Sequence, residues 1–173
     1  HGPIETATAT LGIEPSTAFP YMVDFNTGLP CNWSTMADPA GAEWMYTTGY
    51  GTGNSSLDST AFMMIDDDAP GSGAQTLASL MTPVINTQGY DTLFMEFDHY
   101  FRALGSSIGY VEVYDGTAWM PVDSFTTTTG GWSAPVHEAY DITMYQNTDL
   151  QVRFRYDDGG DYAWYWSIDN FEM

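Results

Sequence analysis

Short runs of alternating apolar and polar residues recur along this 173-residue chain, and turn-forming residues separate them. The clearest run, TLFMEFDHYFR at 92–102, places Leu93 and Met95 on one face and acidic residues on the other. The runs SIGYVEVYDG at 107–116 and DLQVRFRYDDGG at 149–160 alternate in the same way. A period of two residues is typical of a β-strand with one buried face. Strands spaced at roughly ten residues predict an all-β fold, a two-sheet antiparallel jelly-roll sandwich.

No segment carries a sustained 3.6-residue apolar period with helix caps. The run LASLMTPVI at 77–85 has spacing that would suit a helical turn, but Pro83 and the adjacent Val and Ile favour an extended strand. Residues 1–18 are rich in Thr, Ala and Pro and lack a period. We therefore expect an extended leader or linker at 1–18 and a single sandwich domain at 19–173.

The charge of the chain is strongly one-sided. Three Arg residues and no Lys stand against 23 acidic residues, which gives a formal net charge of -20 at pH 7. Such a field repels nucleic acid and anionic membranes, so we expect neither as a partner, and it attracts cations. An acidic, lysine-free surface also suits a protein that stays soluble in high salt, and the two explanations are compatible.

Two further counts limit the possibilities. No stretch approaches 18 apolar residues, so we expect no membrane insertion. The single Cys31 has no partner for an intrachain disulfide, so cysteine usage leaves the cellular compartment open.

The sequence offers little that marks catalysis. The histidines are His1, His99 and His137, and the metalloprotease pattern H-E-x-x-H and cysteine-based signatures are absent. Carboxylate pairs of the kind that glycosidases use are expected by chance among so many acidic residues. We therefore expect no enzymatic activity.

Four acidic or amide clusters lie in turns or at strand ends: VDFN at 23–26, DDD at 66–68, DDGGD at 157–161 and IDN at 168–170. They offer the oxygen ligands that Ca²⁺ prefers, although EF-hand spacing is absent. Asp side chains that bond the local backbone in turns are the alternative explanation. Ca²⁺ is the predicted cofactor, and its predicted ligands are Asp24, Asn26, Asp66, Asp67, Asp68 and Asp169.

Aromatic residues supply the candidate ligand surface. Trp33 and Trp166 are assigned to the core, because Trp in strands is more often core than ligand platform. Trp119 and Trp132 lie in or beside Gly- and Thr-rich loops and are candidates for stacking on sugar rings. In the closing segment YAWYWSIDNFEM, at 162–173, alternation predicts that Tyr162, Trp164 and Trp166 share one face.

All three cations, Arg102, Arg153 and Arg155, fall on the polar faces of predicted strands. Carboxylates project from the same faces, so cross-strand ion pairing is the expected arrangement. The alternative is a ligand groove built from Arg, Glu, Tyr100 and Tyr110.

Three segments together resemble the cleaved-adhesin and choice-of-anchor domains of secreted bacterial proteins. They are YMVDFNTGLPCNWSTM at 21–36, LASLMTPVINTQGYDTLFMEFDHYF at 77–101 and DLQVRFRYDDGGDYAWYWSIDNFEM at 149–173. The segments follow the order of that family and span most of 19–173. The fold is related to MAM domains, but the cysteine framework of MAM domains is missing here.

The resemblance implies a two-sheet jelly roll of the MAM or concanavalin-like type, commonly with structural Ca²⁺. The opening acid of the family matches Asp24, where the family usually has Glu, and its closing Ile-Asp motif matches Asp169. Because the first and last strands meet in such a fold, one ion is expected to join these two residues.

We therefore predict a noncatalytic, Ca²⁺-stabilised adhesion or carbohydrate-binding module of a larger secreted or surface protein, located outside the cell or at its surface. The expected partner is a glycan or a cell-surface or matrix protein. The alternative is a self-assembling subunit of an extracellular filament or matrix, in which residues 1–18 add a strand to a neighbour's open sheet edge.

Overall fold

A computed structural model describes residues 19–38, 41–50, 57–71, 73, 75–160 and 162–173. The leader predicted for 1–18 lies outside the described residues, so strand complementation by that segment stays a prediction. The described strands are β1 (Met22–Val23), β2 (Ser34–Ala37), β3 (Met45–Thr47), β4 (Phe62–Asp66), β5 (Leu77–Met81), β6 (Phe94–Arg102), β7 (Ile108–Tyr114), β8 (Trp119–Phe125), β9 (Val136–Asp141), β10 (Gln151–Asp157) and β11 (Tyr165–Glu172). One 3₁₀ turn covers Thr143–Tyr145.

The strands form two antiparallel sheets. In the first sheet the strand order is β3-β4-β11-β6-β9, and β1 pairs with the last part of β11. In the second sheet the order is β2-β5-β10-β7-β8. The two-sheet antiparallel sandwich predicted from the alternating pattern is confirmed. Within the part of the chain that the structure describes, no helix has the length and apolar character needed to cross a bilayer.

The core lies between the inner faces of the two sheets. Alternate residues of β6, β10 and β11 point inward, and Trp166 is fully buried at its centre. The Trp166 ring meets Phe101 and Phe154 nearly edge-on, each with centroids 5.9 Å apart. Edge-on packing suits the charge distribution of aromatic rings and fills the space between the sheets. Trp33 is also buried, as the sequence predicted.

Alternation fails just before β11, so the predicted shared face of Tyr162, Trp164 and Trp166 is wrong. Ala163 and Trp166 both lie in the main core, whereas Trp164 packs outside the first sheet. The cause is a pair of hydrogen bonds that fix this segment outside a regular ladder. The Ala163 N–H donates to Asp67 Oδ2 at 2.8 Å, and the Asp67 N–H donates to the Trp164 carbonyl at 2.9 Å.

The first and last strands are neighbours, as the resemblance implied. Val23 pairs with Phe171, and Tyr21 and Met173 exchange backbone hydrogen bonds of 2.8 and 2.9 Å. The register between β11 and β6 shifts after Asp169, and Asn170 adopts a left-handed backbone with φ of 48°.

Candidate functional site

The four aromatic residues predicted to bind ligand lie on opposite sides of the sandwich. Tyr110 and Trp119 belong to β7 and β8 of the second sheet. Tyr100 belongs to β6 of the first sheet, and Trp132 packs against it. A groove that contains both Tyr100 and Tyr110 is therefore not formed, and that alternative was wrong.

The outer face of the second sheet carries a compact set of charged and aromatic side chains. We call it the arginine platform, and it consists of Tyr110, Glu112, Trp119, Arg153 and Arg155. Strands β10, β7 and β8 are adjacent, and the register places Arg153 opposite Glu112 and Arg155 opposite Tyr110. The strict alternation of β10 buries Val152, Phe154 and Tyr156, so its arginines point outward.

Glu112 is bound by both arginines of the arginine platform. The Arg153 Nε donates to Glu112 Oε2 at 2.7 Å, and the Arg155 Nε and Nη2 donate to its two oxygens at 3.1 Å each. The Glu112 side chain is only 10% exposed. Burial raises the pKa of this carboxyl, but the hydrogen bonds from Arg155 and Arg153 outweigh burial and leave the pKa below its usual value. Two cations and one carboxylate thus meet here, and the predicted ion pairing is confirmed for these two arginines.

The same guanidinium groups also hold the aromatic rings of the arginine platform. The Arg153 Cζ lies 4.1 Å from the centre of the Trp119 ring, and the Arg155 Cζ lies 3.8 Å from the centre of the Tyr110 ring. These distances are those of cation–π contacts. Trp119 and Tyr110 remain partly exposed. The surface therefore offers fixed aromatic rings next to planar N–H donors, a combination that suits the apolar faces and hydroxyl groups of a sugar.

The outer face of the first sheet is covered rather than open. Its aromatic and apolar residues form a second cluster that consists of Tyr50, Leu57, Phe62, Met64, Tyr100, Trp132, Trp164 and Tyr165. The Trp132 ring stacks on Tyr50 and on Tyr165, with centroids 5.7 and 5.2 Å apart. Tyr100 is buried beneath it. Sugar binding by Trp132 and Tyr100 stays a prediction, and in this structure both residues pack against other aromatic rings.

Arg102 packs against the second aromatic cluster. Its guanidinium Cζ lies 4.2 Å from the centre of the Trp164 ring, and its Nη1 donates to the Tyr165 hydroxyl at 3.2 Å. Among the described residues Arg102 forms no ion pair, so the predicted pairing with the described carboxylates of its sheet is not formed.

The predicted metal ligand Asp169 lies in β11 of the first sheet and is fully buried. Its Oδ2 accepts a hydrogen bond from the Thr60 hydroxyl at 3.3 Å, and that hydroxyl also bonds Asp58. Burial raises the Asp169 pKa to about 7, and repulsion from Asp58 adds to the effect. The Asn170 Nδ2 donates to Asp58 at 3.2 Å and to Asp98 at 2.9 Å.

Asp24 and Asn26, the predicted ligands near the start of the domain, lie in different surroundings. Asn26 Oδ1 accepts the Ala61 N–H at 3.2 Å, which brings Asn26 beside the segment that carries Asp58 and Thr60. Asp24 Oδ1 accepts the Asn26 N–H at 3.0 Å in a local turn, and Asp24 lines a cavity next to Asn170. The structure thus connects Asn26 and Asp169 through one short segment.

These oxygen donors fit a hard cation only in part. Asp58, Asp169 and Thr60 provide two carboxylates and a hydroxyl, whereas Ca²⁺ takes six to eight oxygens. Across the described ranges, no group of three or more His, Cys, Asp or Glu side chains is placed to hold a metal ion. Sequence reasoning missed Asp58 because it lies outside any alternating run, although Asp followed two residues later by Thr is a turn signal.

The Asp triplet at 66–68 combines one local backbone bond, between Asp66 and Asp68, with bonds to residues further away in the sequence. Asp67 is buried and accepts hydrogen bonds from the Thr76 hydroxyl and from the Ala163 N–H. Asp66 Oδ1 accepts the Tyr50 hydroxyl at 3.3 Å and the Asp68 N–H at 3.2 Å. Metal binding by Asp66, Asp67 and Asp68 stays a prediction.

One segment matches a catalytic pattern that sequence reasoning missed. GSSIG at 105–109 has the G-x-S-x-G spacing of serine hydrolases, whose serine stands exposed at a turn from strand to helix. Here the segment joins the antiparallel strands β6 and β7. Ser107 is buried, and its hydroxyl accepts the Leu104 N–H at 3.1 Å. This geometry does not present a nucleophile.

No protein-family model and no curated protein matches the sequence. Solved structures do match over most of its length. The K1 cleaved adhesin domain of Lys-gingipain from Porphyromonas gingivalis W83 has a TM-score of 0.64 at 16% identity, over 87% of this chain and 95% of that one. The chain therefore has the same fold as this cleaved adhesin domain.

Two carbohydrate-binding modules are also similar in structure to this chain. CBM27-1 of Caldicellulosiruptor saccharolyticus, in complex with mannohexaose, has a TM-score of 0.60 at 16% identity, over 91% of this chain and 97% of that one. TmCBM61, in complex with β-1,4-galactotriose, has a TM-score of 0.54 at 12% identity, over 86% and 92%.

Proposed function

We propose that this domain is a noncatalytic module that binds a glycan through the arginine platform, in an adhesion role outside the cell or at its surface. One observation carries the proposal: on the outer face of the second sheet, Trp119 and Tyr110 are both partly exposed and both held by an arginine. A shared fold hosts many functions, so the chemistry of this surface carries more weight than the similarity to adhesins and carbohydrate-binding modules.

The arginine platform provides both kinds of contact that a sugar needs. The Trp119 and Tyr110 rings offer apolar surface for the C–H faces of the sugar. The Arg153 Nη groups donate no hydrogen bond to a described residue and are available to sugar hydroxyls. Because the whole chain carries a net charge of -20, a neutral glycan is favoured over an anionic one.

Calorimetric titration of the full chain with mannohexaose, galactotriose and a panel of neutral oligosaccharides tests the proposal. Trp119→Ala is expected to lower the affinity for the bound glycan about tenfold, because a ring contact is lost. Phe94→Ala removes an exposed aromatic from the first sheet and is the matched control, expected to change affinity less than about twofold. Equal binding by wild type and Trp119→Ala would show that the arginine platform is not the site. Release of reducing ends from the panel would contradict the noncatalytic role.

We also propose that Ca²⁺ stabilises the domain at Asp58 and Asp169, with the Thr60 hydroxyl and Asn26 nearby. The support is chemical: Asp169 is a fully buried carboxylate with a raised pKa beside a second carboxylate, and a cation would offset that repulsion. Backbone oxygens and water would have to complete the coordination.

A further inference from the structure

Two neighbouring hollows lie where β1 pairs with β11, and Glu172 lines both of them. Their volumes are about 590 and 360 Å³, and both are within the usual range of ligand pockets. We call the two hollows together the Glu172 groove. It is lined by Met22, Asp24, His137 and Glu172 in the larger hollow and by Tyr90, Phe94, Glu96 and Glu172 in the smaller one.

The groove exposes large apolar side chains. Met22 is 65% exposed, Phe94 is 49% exposed and Tyr90 is 43% exposed. Tyr90 is fixed against Phe19, with ring centroids 4.5 Å apart, so this part of the surface is preformed. Exposed apolar side chains grouped along neighbouring hollows are typical of an interaction surface.

The groove is also acidic. Asp24, Glu96 and Glu172 line it, and His137 is the basic side chain among its described lining residues. His137 is already engaged by Glu96 at 3.3 Å and by Asp98 at 2.9 Å. Even with His137 protonated, the carboxylates exceed the cations at this surface. Within the described residues, Asp24 and Glu172 form no ion pair.

A second copy of this chain is a poor source of the missing cation. The chain contains no Lys. Arg153 and Arg155 are bound to Glu112, and Arg102 stacks on Trp164. A bare metal ion would not use the apolar part of the groove. The long side chain of Lys or Arg suits both parts, because its aliphatic stem packs on apolar surface while its head pairs with carboxylates.

We propose that the Glu172 groove binds a basic peptide segment of a partner protein. A Lys or Arg side chain of that segment pairs with Asp24 and Glu172, and an apolar side chain packs on Tyr90 and Phe94. This surface belongs to the first sheet, so it is separate from the arginine platform.

An immobilised octapeptide library tests the proposal directly. One set has Arg fixed at a central position with the other positions randomised, and the matched set has citrulline, which is nearly isosteric but uncharged, at that position. The labelled full chain is expected to enrich Arg peptides that carry neighbouring apolar residues. Equal capture by the two sets, or no enrichment in either, would overturn the proposal.

Variants of the full chain then locate the binding of an enriched peptide by fluorescence anisotropy. Asp24→Asn with Glu172→Gln removes two charges but keeps the acceptor for the Asn26 N–H, and it is expected to weaken binding about tenfold. Asp38→Asn with Glu43→Gln removes two exposed charges outside the groove and is the charge-matched control, expected to change affinity less than about twofold. Equal losses in the two variants would mean non-specific attraction and overturn the proposal.

Two further measurements separate other occupants. Sedimentation of wild type and of the groove variant would overturn the proposal if the wild type formed a dimer that the variant lost, since a second copy would then be the occupant. Trp119→Ala is expected to leave peptide binding unchanged. A peptide that lost affinity in Trp119→Ala but not in the groove variant would place its site on the arginine platform instead.

Discussion

Each outer face of the sandwich contains a buried carboxyl group, and the two groups have opposite surroundings. On the second sheet, the nearly buried Glu112 receives three hydrogen bonds from Arg153 and Arg155, and its pKa is lowered. On the first sheet, the fully buried Asp169 has a hydroxyl and a backbone N–H as partners, and its pKa rises to about 7. The comparison shows that burial alone does not decide the state of a carboxyl group, because the charge of its partners does.

The largest effect is expected from Glu112→Ala, which leaves two arginines facing each other without a carboxylate. We expect a loss of about 3 kcal/mol in the free energy of unfolding by urea, because a nearly buried ion pair has lost one partner. Asp149→Ala, which removes an exposed carboxylate just before β10, is the control and is expected to cost less than about 0.5 kcal/mol. A Glu112 variant as stable as this control would show that the arginines are fully solvated.

Asp169→Asn is expected to raise the free energy of unfolding, measured in EDTA, whereas Glu112→Ala lowers it. Well below pH 4 the carboxyl is protonated in both the folded and the unfolded state, so the variant and the wild type should match. As the pH rises from 4 to 7, the unfolded state releases this proton while the folded state keeps it, so wild-type stability falls. At pH 8 we expect the variant to be more stable by about 2 kcal/mol, with Asp38→Asn as the neutral control. A destabilised variant at pH 8 would contradict the raised pKa.

Ca²⁺ is expected to give Asp169 the cationic partner that Glu112 already has, and so to stabilise the first sheet. At a Ca²⁺ concentration ten times the Kd, binding stabilises the folded state by about 1.4 kcal/mol, or about 4 °C in Tm. The measurement is a thermal melt in EDTA and in millimolar Ca²⁺ at fixed high ionic strength. Asp169→Asn should lose the response. The same response in variant and wild type would remove Asp169 from the ion's ligands.

The smallest effect is expected from His137→Gln. The hydrogen bond to Asp98 raises the His137 pKa, so its stabilising contribution is complete below pH 6.5 and disappears as the pH rises through the raised value. Because the His137 side chain is 57% exposed, we expect a loss of less than about 0.5 kcal/mol at pH 5.5 and none at pH 9. A loss above about 1 kcal/mol in the free energy of unfolding by urea at pH 5.5 would show that the His137–Asp98 pair is stronger than is usual for exposed ion pairs.

The alternating runs predicted the strands well, because period two reports directly on which face is buried. β6, β7 and β10 lie within the predicted runs 92–102, 107–116 and 149–160. The Asp115-Gly116 turn joins β7 to β8, as that dipeptide indicates, and Asp115 Oδ1 accepts the Thr117 and Ala118 N–H groups.

The position of the candidate site could be predicted only in part. The sequence indicated that Arg153 and Arg155 point away from the core, but the order of strands in a sheet depends on distant parts of the chain. Tyr100 and Tyr110 are only ten residues apart, yet β6 and β7 belong to different sheets. Asp58 became a candidate only when folding placed it beside Asp169, which is 111 residues further along the chain.

The pairing of Tyr21 with Met173 also has a mechanical consequence. Tyr21 and Met173 lie at one end of the short antiparallel ladder between β1 and β11. A force applied between these two residues therefore loads the ladder in the unzipping geometry, in which the hydrogen bonds break one after another, and not in the shear geometry, in which they break together. Tension along a chain that continues on both sides of the domain would therefore peel β1 away first. The main core between the sheets would feel that force only afterwards.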